Sequence, residues 1–91
     1  MKIHRLKTLP EYFKAQILGN KQFEVRKNDR DFHVGDVLVL EEWDKQYTGT
    51  FLCVRVTYVL REFEGLKYGY VVLGTEPLTK EEIEEAVMKD E

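Results

Sequence analysis

A chain of 91 residues, 43% apolar and 34% charged, has room for one small globular domain and is too apolar to be disordered. Its longest apolar runs, such as Val37–Leu40, are too short to cross a bilayer, and Met1–Lys7 lacks the apolar stretch of a secretory leader. With Cys53 the only cysteine, internal disulfides are excluded and a cytoplasmic location is expected. The net charge of −3 is unevenly spread. Residues 1–40 carry eight Lys/Arg against five Asp/Glu, whereas seven acids face two lysines from Glu76 onward. The first half can therefore attract an anion even though the pI is about 5.4.

In chain order, Ile3–Lys7 reads as a first strand. Pro10 suits the first helical position and Glu11 the positive end of the dipole, so a helix is predicted over Pro10–Leu18. Its inward face would be Tyr12, Phe13, Ile17 and Gln16, and Gly19-Asn20 would close it with a left-handed cap. Gln22–Arg26 alternates with period two, which predicts a strand with Phe23 and Val25 in the core and Glu24 and Arg26 on the other face. Asn28–Asp31 and Val34-Gly35-Asp36 are turn chemistry, and Val37–Leu40 is a buried strand. Gln46–Gly49 reads as a loop, followed by a long strand Phe51–Leu60. There Leu52, Val54, Val56, Tyr58 and Leu60 would face the core. Tyr70–Leu73 is the last strand, with Tyr70 expected in the core. Thr79-Lys80-Glu81-Glu82 has the form of a capping box, opening a short acidic helix whose apolar side is Ile83, Val87 and Met88. The expected fold class is α+β: a small barrel of about five strands over residues 1–75, with one early helix, followed by an acidic, peripheral helix and tail over residues 76–91.

Serine is absent, no Gly-rich phosphate loop is present, and His4, His33 and Cys53 are scattered. A serine nucleophile is thereby excluded, and no metal or cofactor is expected. The candidate ligand-binding residues are Lys21, Glu24 and Arg26, with Arg30 and Lys7 as further cations. A carboxylate can accept from a base's exocyclic amine, and arginine offers a planar fork to phosphate or a base edge. Trp43 and Tyr47, in a loop-rich stretch, are candidates for base stacking. His4 and His33 are expected to be structural.

The run Gly19-Asn20-Lys21-Gln22-Phe23-Glu24-Val25-Arg26, then Arg30 and Val34-Gly35-Asp36-Val37-Leu38, resembles the signature of the ASCH domain, a branch of the PUA-like superfamily. The features His4–Lys7, Tyr12-Phe13, Trp43-Asp44, Tyr47–Gly49 and Gly69–Leu73 resemble a short bacterial and phage branch of unknown function. This resemblance implies a PUA-like pseudo-barrel whose signature strand lines a cleft beside the helix, and a partner that is RNA or a nucleotide-like ligand. It also implies an alternative, a small amidohydrolase acting on an acylated nucleoside such as acetylcytidine. In that group a threonine stands where this chain has Glu24, and the catalytic acid lies in a segment that Glu62–Tyr70 is too short to contain. If the chain were an enzyme, Glu24 would be the base and Lys21 its electrostatic partner, because a neighbouring carboxylate keeps a lysine charged. A third possibility is a protein-interaction module using the acidic helix.

Overall fold

The structure, a computed structural model, describes residues 1–89; for Ala86, Val87 and Lys89 it describes the backbone alone. The elements run β1 (Ile3–Thr8), α1 (Pro10–Ile17), β2 (Phe23–Lys27), β3 (Val37–Trp43), β4 (Tyr47–Leu60), β5 (Tyr70–Pro77) and α2 (Lys80–Lys89). The five strands form one mixed sheet in the order β1-β3-β4-β5-β2, with β1 parallel to β3 and the other pairs antiparallel. The sheet curls into a half-barrel of the expected α+β class, with β1 and β2 at the two ends of its strand order.

The hollow side holds the main core: Leu6, Phe13, Phe32, Leu38, Leu40, Val54, Val56, Val71 and Leu73. Phe32 is fully buried although it lies in the loop before β3. The period-two pattern could not place it, because no strand carries it. A second, smaller cluster lies on the outward face, where Leu78 and Ile83 pack over Val37, Val39 and Cys53. The capping box forms as read: Thr79 Oγ1 accepts from the Glu82 amide at 3.1 Å, and Glu82 Oε1 from the Thr79 amide at 3.1 Å. Met88 is exposed, and the Val87 side chain lies outside the described residues.

Four expectations are corrected. In β2 the register is inverted: Glu24 is 2% exposed, whereas Phe23 and Val25 are 45% and 49% exposed. Alternation shows that the two faces of a strand differ, not which one points inward. In β4 the core alternation holds through Val56, after which a bulge at Thr57 reverses it. Tyr58 thus points outward and Val59 packs on the main core. In α1 only Phe13 and Gln16 are buried, while Tyr12 and Ile17 are exposed. Gln46–Gly49 is not a free loop, since β4 already begins at Tyr47 opposite Trp43.

Gly19, at φ 78°, ends α1 as a left-handed cap, and the amides of Gly19 and Asn20 return to Gln16 O and Ala15 O, each at 3.0 Å. This cap turns the chain directly from helix into β2, which brings Gln16, Lys21 and Glu24 together.

Candidate functional site

The strands β1 and β2 have no ladder between them. Side chains bridge the seam instead. Arg26, pointing inward from β2, donates through Nη1 to Lys7 O at 2.9 Å and through Nη2 to Thr8 Oγ1 at 3.2 Å, both on β1. Its Nε and Nη2 also donate to Glu24 Oε1, at 3.0 and 2.7 Å. The other carboxylate oxygen, Oε2, accepts from Gln16 Nε2 of α1 at 2.9 Å and from Lys21 Nζ. Gln16 also donates to Phe23 O at 3.0 Å, which explains a buried amide on the inner face of the helix.

Glu24 therefore accepts four hydrogen bonds, filling the acceptor sites of a carboxylate. Burial pushes its pKa up, but the donors Lys21, Gln16 and Arg26 together outweigh that, leaving it below the ordinary value of 4.5. It is an ionised, saturated group, and its role is to hold the two cations in place.

Lys21 is 16% exposed and spends one of its three N–H donors on Glu24. Its ammonium lies 5.1 Å from the Phe23 ring centroid and 5.4 Å from that of Tyr12, a cation–π arrangement on both sides. These groups line a cleft of about 580 Å³, together with Lys7, Thr8 and Asn20. The exposure of Phe23 and Tyr12, at odds with the expected core, is what gives the cleft aromatic walls.

The remaining candidates divide. Lys7 lines the cleft, with its ammonium 4.5 Å from the Trp43 ring and 5.8 Å from Tyr47, so the hairpin joining β3 and β4 stands behind it. Trp43 is half-buried and Tyr47 exposed; neither lines the cleft itself. Arg30 does not line it either, and donates through Nη1 to Arg5 O at 2.7 Å on the free side of β1. Tyr70 points outward beside Lys67 and is not core.

His4 is buried and does not line the cleft; its ring is tilted against Phe32 with centroids 4.7 Å apart. Its Nε2 lies 2.9 Å from Asp36 Oδ2, and Asp36 also accepts from the amides of Lys2 and His33, each at 3.0 Å. Burial pushes the Asp36 carboxyl up, but these donors win and hold it below its ordinary range. An ionised carboxylate only accepts, so Nε2 of His4 carries the proton. The sequence read Asp36 merely as a turn residue; the signal for more was its place at the mouth of a buried strand. Cys53 sits under α2, where burial pushes its thiol pKa up. Among the described residues no three His, Cys, Asp or Glu groups converge as a metal site, and no helix is long and apolar enough to cross a membrane.

A family described as a domain of unknown function, DUF3850, matches residues 3–75, which take in the whole cleft. The chain belongs to this family. Helix α2 lies beyond the matched DUF3850 region. An uncharacterized 12.9 kDa protein in the GpA 3′ region of Escherichia phage P2 is 41% identical over 59 residues, which cover 64% of this chain. The match spans 54% of that relative, so the chain corresponds to about half its length. The crystal structure of hypothetical protein PH0355 superposes with a TM-score of 0.60 at 22% identity. That likeness covers 86% of this chain and 100% of the other, and shows that the DUF3850 half-barrel fold is shared.

Proposed function

We propose that this domain is a binding module for RNA or a nucleotide-like ligand, which enters the cleft between β1, α1 and β2. The observation that carries this reading is Lys21: a cation fixed by a buried carboxylate, flanked by two aromatic rings, with donors to spare. Aromatic faces take a base by stacking, worth about 1–3 kcal/mol per base, while lysine and arginine take phosphate. The resemblance of Gly19–Arg26 and Val34–Leu38 to the ASCH signature, and through it to PUA-like RNA-binding domains, supports the same assignment.

Geometry changes the role of one residue. Since Glu24 has no acceptor site left, it does not read a base amine. The charged groups free to meet a ligand, Lys7, Lys21 and Arg26, are all donors, and the ligand presents acceptors to them: phosphate oxygens or base carbonyls. A hydrolase acting on acetylcytidine would need a general base, and Glu24 would first have to release a hydrogen bond.

The test is fluorescence anisotropy with a labelled single-stranded RNA of mixed sequence, alongside calorimetry with cytidine 5′-monophosphate. Lys21→Ala is expected to weaken binding by about tenfold and to lower the slope of log K against log salt by about 1. Wild-type protein that binds neither probe at millimolar concentration would refute the module. Acetate release from acetylcytidine, lost in Lys21→Ala, would establish the hydrolase instead.

A further inference from the structure

Resting on that reading, we infer that the ligand is a single strand longer than one nucleotide. It leaves the cleft across the outward face of β2 and β5 and ends in a second groove under the β4–β5 connection. The register defines the path. Phe23 pairs with Gly74, which pairs with Tyr58; Val25 pairs with Val72, which pairs with Leu60; Lys27 pairs with Tyr70. Apart from Gly74, which has no side chain, these residues point outward, because their neighbours Glu24, Arg26, Val71 and Leu73 point inward. Phe23 and Val25 belong to both surfaces, since both also wall the cleft. From Phe23 to Lys27 the track runs about 13 Å at the rise of a strand, farther than one nucleotide bound in the cleft would reach.

Just past Lys27 lies the second groove, of about 500 Å³, lined among others by Asn28, Arg61, Phe63, Lys67, Tyr68 and Tyr70. Phe63 is 66% exposed, Tyr68 100% and Tyr58 63%. Large rings held this far into water serve no purpose in packing. The other half of the outward face, by contrast, is roofed by Leu78 and Ile83.

Charge selects the occupant. Lys27 has no ion pair among the described residues and Lys67 lies 5.8 Å over the Tyr70 ring, against one lining acid, Glu62; Arg61 adds its charge to the groove wall while donating through Nη2 to Phe32 O at 2.6 Å. Rings interleaved with lysines match bases interleaved with phosphates. A second copy of this chain would have to desolvate the same lysines, which protein interfaces avoid.

The experiment compares labelled single-stranded RNAs, a dinucleotide and an oligomer of about eight nucleotides, by anisotropy. Replacing both Phe63 and Tyr68 by alanine removes only exposed side chains. It is expected to weaken the octamer by about tenfold or more, leaving the dinucleotide unchanged, whereas Lys21→Ala weakens both. If wild type binds the two lengths equally, or the double variant binds the octamer as wild type does, the path is wrong while the cleft stands. If wild type binds neither, the cleft reading falls and takes the path with it. A wild-type dimer in sedimentation that becomes a monomer in the double variant would assign this face to a second copy and overturn the inference.

Discussion

At the seam, one carboxylate, Glu24, holds two cations; on the outward face, one cation, Arg55, holds two carboxylates. Glu24 ties β2 to α1 through Gln16 and, by way of Arg26, to β1. Arg55 ties β4 to Glu76 of β5, with Nε donating at 3.1 Å, and to Glu82 of α2. The two clusters use the same chemistry in mirror image and differ in water. The Glu24 side chain is 3% exposed and that of Arg55 36%. Buried, a charge stripped of all its partners is poorly rescued by solvent, so the Glu24 cluster is the costlier of the two to break. Exposed, each partner exchanges readily with water and the pair contributes little.

The largest expected effect breaks the seam. Glu24→Ala leaves Lys21 and Arg26 without their shared anion, and by the cost of orphaning buried charge it should lose about 3–5 kcal/mol. In a domain of this size that lowers Tm by more than about 10 °C, measurable by circular dichroism. A loss under about 1 kcal/mol would mean that water reaches the seam, and the contrast with Arg55 would vanish.

Acid sharpens the same contrast. The folded pKa of Glu24 lies below its ordinary 4.5, so its stabilisation is complete above that value and is lost as pH falls through the lowered folded value. Asp36, depressed from 3.8, loses its contribution in the same direction. Urea titrations of wild type and Glu24→Gln should therefore converge as the pH drops below 4.5. Parallel curves would show that Glu24 is not the group protonated. The smallest effects belong to the outward face. Ile83→Ala, uncovering part of Val37, Val39 and Cys53, should cost about 1 kcal/mol, since the isoleucine is only half-buried. Arg55→Met should move Tm less than Ile83→Ala does. If it moves Tm more, the ion pairs rather than the apolar contact hold α2 down.

Much of this fold was legible, because β1, α1, β3 and the capping box carry strong local signals of their own. The site was legible in part. Lys21, Glu24, Arg26 and Lys7 do meet in one cleft, but placing Phe23 and Val25 in the core conflicted with placing Glu24 in a cleft beside the helix. Hydrophobicity favoured the first, and the four donors around Glu24, which come from three separate segments, favoured the second. All of them lie between Gln16 and Arg26, but only the turn from helix to strand brings them onto one carboxylate, and no periodicity shows that turn. The Thr57 bulge was equally hidden, because it follows from pairing β4 with β5 and from nothing within β4. Arg30 looked like a phosphate ligand since a loop arginine beside a cleft has that chemistry, and only the structure shows its guanidinium turned to the Arg5 carbonyl.

The strand order also says when the site can exist. β2 pairs with β5 alone, and every partner in that ladder is more than forty residues away along the chain. Closing so long a loop is slow, and it can begin only once β5 has been made. On the ribosome, β1, β3 and β4 can zip together while β2 still waits. The cleft can thus be completed only after β1, β3 and β4 are in place, with α2 still to follow.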